Sequence, residues 1–215
     1  MDSKNLTPDQ IANGRAFTQA IRDGDADAVR RAHAAFPQIM DVKSALGPWM
    51  YFAARRSTVE VVFALHDLGA DPNLTGTGGA DGSNALGAAA SAGSLEKVQA
   101  IHRLGGAFQT DRSTTNTLLS AVNGGCSEVV DYLLSAGFDA TLDYQIAKGV
   151  RYDVVCFALE SGARQIASQI ALHVAAGDTG LAQAHLDDAW DRVQRANPNA
   201  NPANVPPPPI LDVPV

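Results

Sequence analysis

The sequence predicts an all-α protein, an α-solenoid of about six helix pairs joined by short or lengthened fingers, in a chain of 215 residues. Three observations carry this. Hydrophobic residues make up 46% of the chain and aromatic residues only 6%. With its many alanines, that balance suits closely packed helices better than sheets, which draw on β-branched and aromatic runs. A phrase also recurs along the chain: a short helix with small residues, a turn at Gly or a substitute, a second helix with Val-Val or a similar pair, then Leu-x-x-Gly-Ala. Its turn falls at Gly24, Ser57, Gly93 and Gly125, intervals of roughly 33 residues that mark a stacked helical repeat.

In chain order, residues 1–13 form a lead-in and the repeat domain runs over 14–196. The first copy, FTQAIRDGDADAVRRAHAAFP, begins at Phe17. The clearest three are FAARRSTVEVVFALHDLGADPN (52–73), NALGAAASAGSLEKVQAIHRLGGAF (84–108) and NTLLSAVNGGCSEVVDYLLSAGFDA (116–140). A shortened fifth copy, YQIAKGVRYDVVCFALESGA (144–163), places its turn at Val150, and a sixth, LHVAAGDTGLAQAHL, starts at Leu172 with its turn at Thr179. Small residues such as Ala53-Ala54, Ala88-Ala89-Ala90 and Ser120-Ala121 let first helices approach closely. Leu65, Ile101, Leu133 and Leu159 on second helices are expected to bury between neighbours, because no repeat can hide its apolar faces alone. Leu186, Ala189, Trp190 and Val193 make an apolar stripe that closes the stack. LTGTGGADGS (74–83) reads as a lengthened finger, and the proline density from Asn197 onward marks a Pro-rich tail over 197–215.

On ADPN at 70–73, Leu172-His173-Val174-Ala175-Ala176, and the pairs Val61-Val62 and Val129-Val130, the chain resembles the ankyrin repeat family over roughly residues 14 to 190. The Thr-Pro step typical of that family is nowhere intact. Pro48-Trp49, Asn84-Ala85 and Asn116-Thr117 stand in its place, so Asn84 and Asn116 are expected to cap their helices. The interval of about 25 residues before Val150 leaves little room for a finger there.

Composition narrows the function. A formal charge of −7 and a pI near 5.1 oppose the electrostatic attraction behind nucleic-acid binding, so nucleic acid is not an expected partner. Cys126 and Cys156 are the only cysteines and form no CxxC, which indicates neither a disulfide framework nor a zinc site. The N-terminus lacks a signal-peptide pattern and no apolar run reaches a membrane span, so a cytoplasmic protein with no membrane partner is expected.

No catalytic, cofactor or metal site is expected. His66 and His102 fall near second-helix ends, His173 sits in the family-like Leu-His step, and His33 and His185 have no ligand-spaced companions. The glycines of 74–83 do not spell a phosphate loop, and Asp187-Asp188 reads as a solvated face. The ankyrin resemblance implies instead that a protein partner meets the concave side, on finger tips and on positions just after each small-residue pair. The positions are Arg22-Asp23, Arg55-Arg56, Ser91-Ala92 and Asn123-Gly124, with Lys148 and Asp178 less securely aligned. Fingers contribute Lys43, Ser44, Asp81, Ser83, Arg112 and Ser113, and Trp49 and Tyr51 offer an aromatic anchor or pack in the core. The expected function is a monomeric adaptor or inhibitor, of the kind that serves as an immunity or effector protein. The alternative is an enzyme with a pocket near the fifth and sixth repeats, using His173, Tyr144 and Asp178; a third reading is a scaffold that self-associates through its last helix and tail.

Overall fold

A computed structural model describes residues 7–42, 44, 46–75, 82–110, 116–147 and 150–196. It is helical throughout apart from one hairpin, and it divides between Gln109 and Thr110 into two compact units.

The first unit contains three helix pairs: α1 (Pro8–Asp23) with α2 (Ala26–Ala35), α3 (Trp49–Arg56) with α4 (Val59–Asp67), and α5 (Ala85–Ser91) with α6 (Leu95–Arg103). First helices α1, α3 and α5 lie side by side, as do second helices α2, α4 and α6. Phe17, Ile21, Leu65, Leu86 and Ile101 are fully buried between them. Helix α1 begins inside the expected lead-in, for a reason written in the sequence. Thr7 accepts a hydrogen bond from the Gln10 N–H, the Gln10 side chain returns one to the Thr7 N–H, and Pro8 presets the first turn. A Thr-Pro step, expected nowhere, is therefore present at Thr7-Pro8, at the start of the helix that carries the first copy.

Asn84 and Asn116 cap as expected, accepting from the N–H groups of Gly87 and Leu118. Asn84 also donates to the Ala107 carbonyl at 2.7 Å, and Asn73 of the ADPN stretch spans to the same turn, donating to the Gly105 carbonyl and accepting from the Ala107 N–H. One repeat's loop is thus tied to the next. The Leu-x-x-Gly-Ala ending is a helix stop: Gly69 and Gly105 adopt φ of 90° and 86°, and the following N–H reaches back to the Leu65 and Ile101 carbonyls.

The second unit contains α7 (Thr117–Gly124) with α8 (Ser127–Ser135), then a hairpin of β1 (Tyr144–Ala147) and β2 (Val150–Tyr152), then α9 (Val154–Glu160), α10 (Arg164–Val174) and α11 (Thr179–Ala196). Here the expected register is corrected. The stretch assigned to a fifth first helix pairs as antiparallel strands, Tyr144 opposite Tyr152, and Val150 is a strand residue instead of a turn. Helix α9 packs beside α7 and α10 beside α8, so α9 takes the first-helix place although its sequence reads like a second helix. The Leu172–Ala176 stretch ends α10 instead of opening a pair, and Thr179 begins α11, a single long helix packed on α9 and α10. Among the described residues, five pairs and one long last helix result. Leu186, Ala189 and Val193 bury as the stripe predicted, with Trp190 half-buried under the Arg164 guanidinium.

Candidate functional site

In the first unit the C-terminal ends of the first helices present Arg22, Asp23, Arg55, Arg56, Ser91 and Ala92 to solvent. Local packing sets two of these side chains. The Arg22 guanidinium lies over the Phe52 ring, 5.8 Å from its centroid, and Arg55 donates to the Tyr51 hydroxyl at 3.0 Å. Among the described residues, none of Arg15, Arg22, Arg55 and Arg56 pairs with a carboxylate. The second-helix arginines differ: Arg30 pairs with Asp27 and Asp67, and Arg31 with Asp25. In a chain of net charge −7, unpaired arginines gathered on first helices leave a local cationic face that carboxylates complement.

Beside that face runs a groove of about 570 Å³ along α1, bounded by Ile11, Gly14, Arg15 and Arg22 and, opposite, by Ile39, Val42 and Trp49. A second hollow of about 540 Å³ is lined by Met40, Val42, Pro48, Trp49 and Leu74. Val42, Ser44 and Trp49 line both. Trp49 is 7% exposed, stands edge-on to Phe17 at 5.1 Å, and donates its indole N–H to the Ile39 carbonyl at 2.9 Å. A satisfied, packed indole is a core residue, so of the two readings of Trp49 the structure shows core packing, with its remaining exposed atoms lining both hollows; Tyr51, 4% exposed, is buried likewise.

Other expected positions separate. Asn123 is exposed in the second unit, and Ser44 and Ser83 are half-buried in the first. Asp81, Arg112 and Lys148, with Lys43 and Ser113, lie outside the described residues.

The chemistry-bearing cluster that sequence reading missed is in the second unit. Asp153, 5% exposed, caps α9 through the Cys156 N–H, accepts from Arg192 at 2.8 Å and stands 3.6 Å from the His185 Nε2. Arg192 also reaches Asp143 at 3.2 Å, just before β1. Burial opposes ionisation of Asp153, but the His185 imidazole, the Cys156 N–H and the Arg192 charge outweigh it and bring the carboxyl to about 2. His185 is raised in turn, chiefly by Asp153. Cys, His and Asp together invite comparison with a nucleophile and its base, yet the Cys156 thiol is fully buried, burial pushes its pKa up, and Sγ faces the Ala189 carbonyl at 3.7 Å. A thiol so held stays protonated and out of reach of substrate. The cluster is a clasp joining the hairpin, α9 and α11. For the enzymatic alternative, Asp178 is occupied in capping α11, bonding the Leu181 N–H, and His173 is exposed on the last turn of α10. No group of three metal-binding side chains comes together among the described residues.

Lys97 was also missed. It is 9% exposed and donates from Nζ to the Ser57 carbonyl at 3.0 Å, bridging α6 to the end of α3, and burial lowers its pKa. Its sequence position, beside Glu96 at a helix start, reads as surface.

No helix among the described residues is long and apolar enough to cross a membrane. Comparison with family models matches residues 49–144 to ankyrin repeats, in three copies, which spans α3 through α8. Comparison with curated proteins gives no significant match.

Proposed function

Because residues 49–144 belong to the ankyrin repeat family, whose repeats mediate protein–protein interaction, we propose that this protein works as an adaptor or inhibitor that grips one protein partner. The gripping surface is the cationic end of the first helices in the first unit, carried by Arg22, Arg55 and Arg56 with Asp23 beside them. One observation supports this most: these arginines are exposed and lack carboxylate partners among the described residues, whereas those of α2 are ion-paired. Arginine loses less hydration than lysine on contact and forms two parallel hydrogen bonds to one carboxylate, so a rigid row of them favours an acidic partner surface. Steric occlusion or recruitment then follows from binding alone, as in an immunity protein or an effector. The protein acts as a monomer without nucleic acid.

Capture from native lysate tests the reading, with wild type compared against Arg55→Ala/Arg56→Ala. Both side chains are exposed, so the variant keeps its helices. The expected result is one stoichiometric partner held by wild type and reduced at least roughly tenfold by the variant, the loss that follows from removing one or two strong charge-assisted contacts. Equal capture by both proteins would remove the arginines from the binding surface.

A further inference from the structure

The groove along α1 carries an argument of its own, since α1 lies outside the residues that match the repeat family. Its floor is apolar, formed by Ile39, Val42 and Trp49, with Ile11 on the rim and 40% exposed. Gly14 sits on this face in the middle of α1, where glycine weakens a helix relative to alanine. Sterics do not demand it: an added Cβ would meet only Ile39 Cδ1, at an ordinary 3.6 Å. The missing side chain widens the floor.

The polar groups lining the groove are engaged within the protein. Thr18 donates to the Gly14 carbonyl, Gln19 to Asp23, and Gln10 closes the α1 cap. Ser44 accepts from the Leu46 N–H. Arg15 and Arg22, the latter lying over the Phe52 ring, stand two helical turns apart and so about 10 Å along the rim, neither with a carboxylate partner among the described residues. An apolar floor between two such cations has a definite complement: a large apolar side chain flanked by carboxylates. Basic or neutral segments would leave the arginines uncompensated, and the chain's net charge of −7 opposes a polyanion long enough to run past the groove.

We propose that this groove receives an acidic peptide segment of the partner protein, seating one apolar side chain over Gly14, Ile39 and Trp49 and its flanking carboxylates on Arg15 and Arg22. The proposal rests on the protein-binding reading above and narrows it to a site and a partner chemistry.

Panning of a random dodecapeptide phage library on the immobilised full chain tests it, followed by fluorescence polarisation of the enriched peptides. Peptides with Asp or Glu on both sides of Leu, Ile or Phe should emerge. They should bind Arg15→Ala/Arg22→Ala and the groove-filling Gly14→Leu at least roughly tenfold more weakly than wild type, and Arg30→Ala, altered on α2, equally well. Gly14→Leu raises helix propensity, and circular dichroism checks that it folds; Gly14→Ala, which the space admits, gives a smaller loss in the same direction. Enrichment without acidic bias, no enrichment, or undiminished binding by the Arg15/Arg22 and Gly14 variants would overturn the proposal. So would a twenty-residue oligothymidylate that displaces the peptides as well as free peptide does, since any anion would then suffice. If these outcomes occur while lysate capture still depends on Arg55 and Arg56, the groove is excluded and the wider reading stands.

Discussion

Asp153 does three jobs with one carboxylate. It caps α9, balances Arg192 and holds His185, and each role favours the ionised form. Its carboxyl is lowered from 3.8 to about 2 in the folded protein, so its stabilisation is complete above the unfolded value near 4 and is lost as pH falls toward 2, an amount of roughly 2 kcal/mol. His185 has the opposite sign: its raised value adds stability that is full below about 6.5, the unfolded pKa, and fades as pH rises through the folded one. Thermal unfolding of Asp153→Asn followed from pH 2 to 8 should therefore show a loss relative to wild type at neutral pH that shrinks toward zero near pH 2. A constant difference at all pH values would mean that charge is not what Asp153 supplies. In sequence, Asp143, Asp153 and Arg192 share no period, and the clasp forms only because the hairpin and α11 bring them to one place. The Asp153 cap was readable three residues before Cys156, but nothing local pointed to its partners.

At the scale of elements, the sequence was most legible where a local rule decides the outcome. Asn84 and Asn116 cap, and Gly69 and Gly105 stop their helices, because those places need a side-chain acceptor or a left-handed backbone whatever lies around them. Asn84 also donates to the Ala107 carbonyl, so it serves α5 and the next repeat's turn at once. Asn84→Asp should keep the cap and lose that donor, while Asn84→Ala loses both. Urea unfolding should order them wild type, Asp, Ala, with Ala costing about 1–2 kcal/mol from loss of the cap and of the part-buried bond to the Ala107 carbonyl. Equal midpoints for the two variants would leave the cap without a share. The fifth repeat was misread because Val154–Glu160 looks like a second helix, with Val-Val and Leu-x-x-Gly-Ala-like spacing. Its alternation of Tyr144, Ile146, Val150 and Tyr152 around Lys148-Gly149 is a hairpin signal that the repeat phase overrode. Trp49 stayed open for a related reason: in place of the usual proline a large aromatic reads either as a ligand anchor or as core, and only its contact with Phe17 and its bond to the Ile39 carbonyl show that it packs.

At the scale of the molecule, repeat stacking makes stability a sum over neighbours, and about three repeats are the minimum a stack needs. The first unit meets that requirement by itself. It has three helix pairs, its own core from Phe17 to Ile101, and inter-repeat ties at Asn73, Asn84 and Lys97 that all close within residues 1–109. Its first helix α1 is the longest of the six and closed by a full capping box. A fragment of residues 1–109 should then be helical and unfold cooperatively in urea, with an m-value roughly half that of the full chain because m follows the surface exposed. It should also retain the acidic peptides selected on the full protein, since Arg15, Arg22 and the groove floor lie within it. A fragment that is helical but melts without cooperativity would show that the inter-repeat bonds inside the unit do not suffice. Cooperative folding with lost peptide binding would instead place part of the recognition surface beyond residue 109.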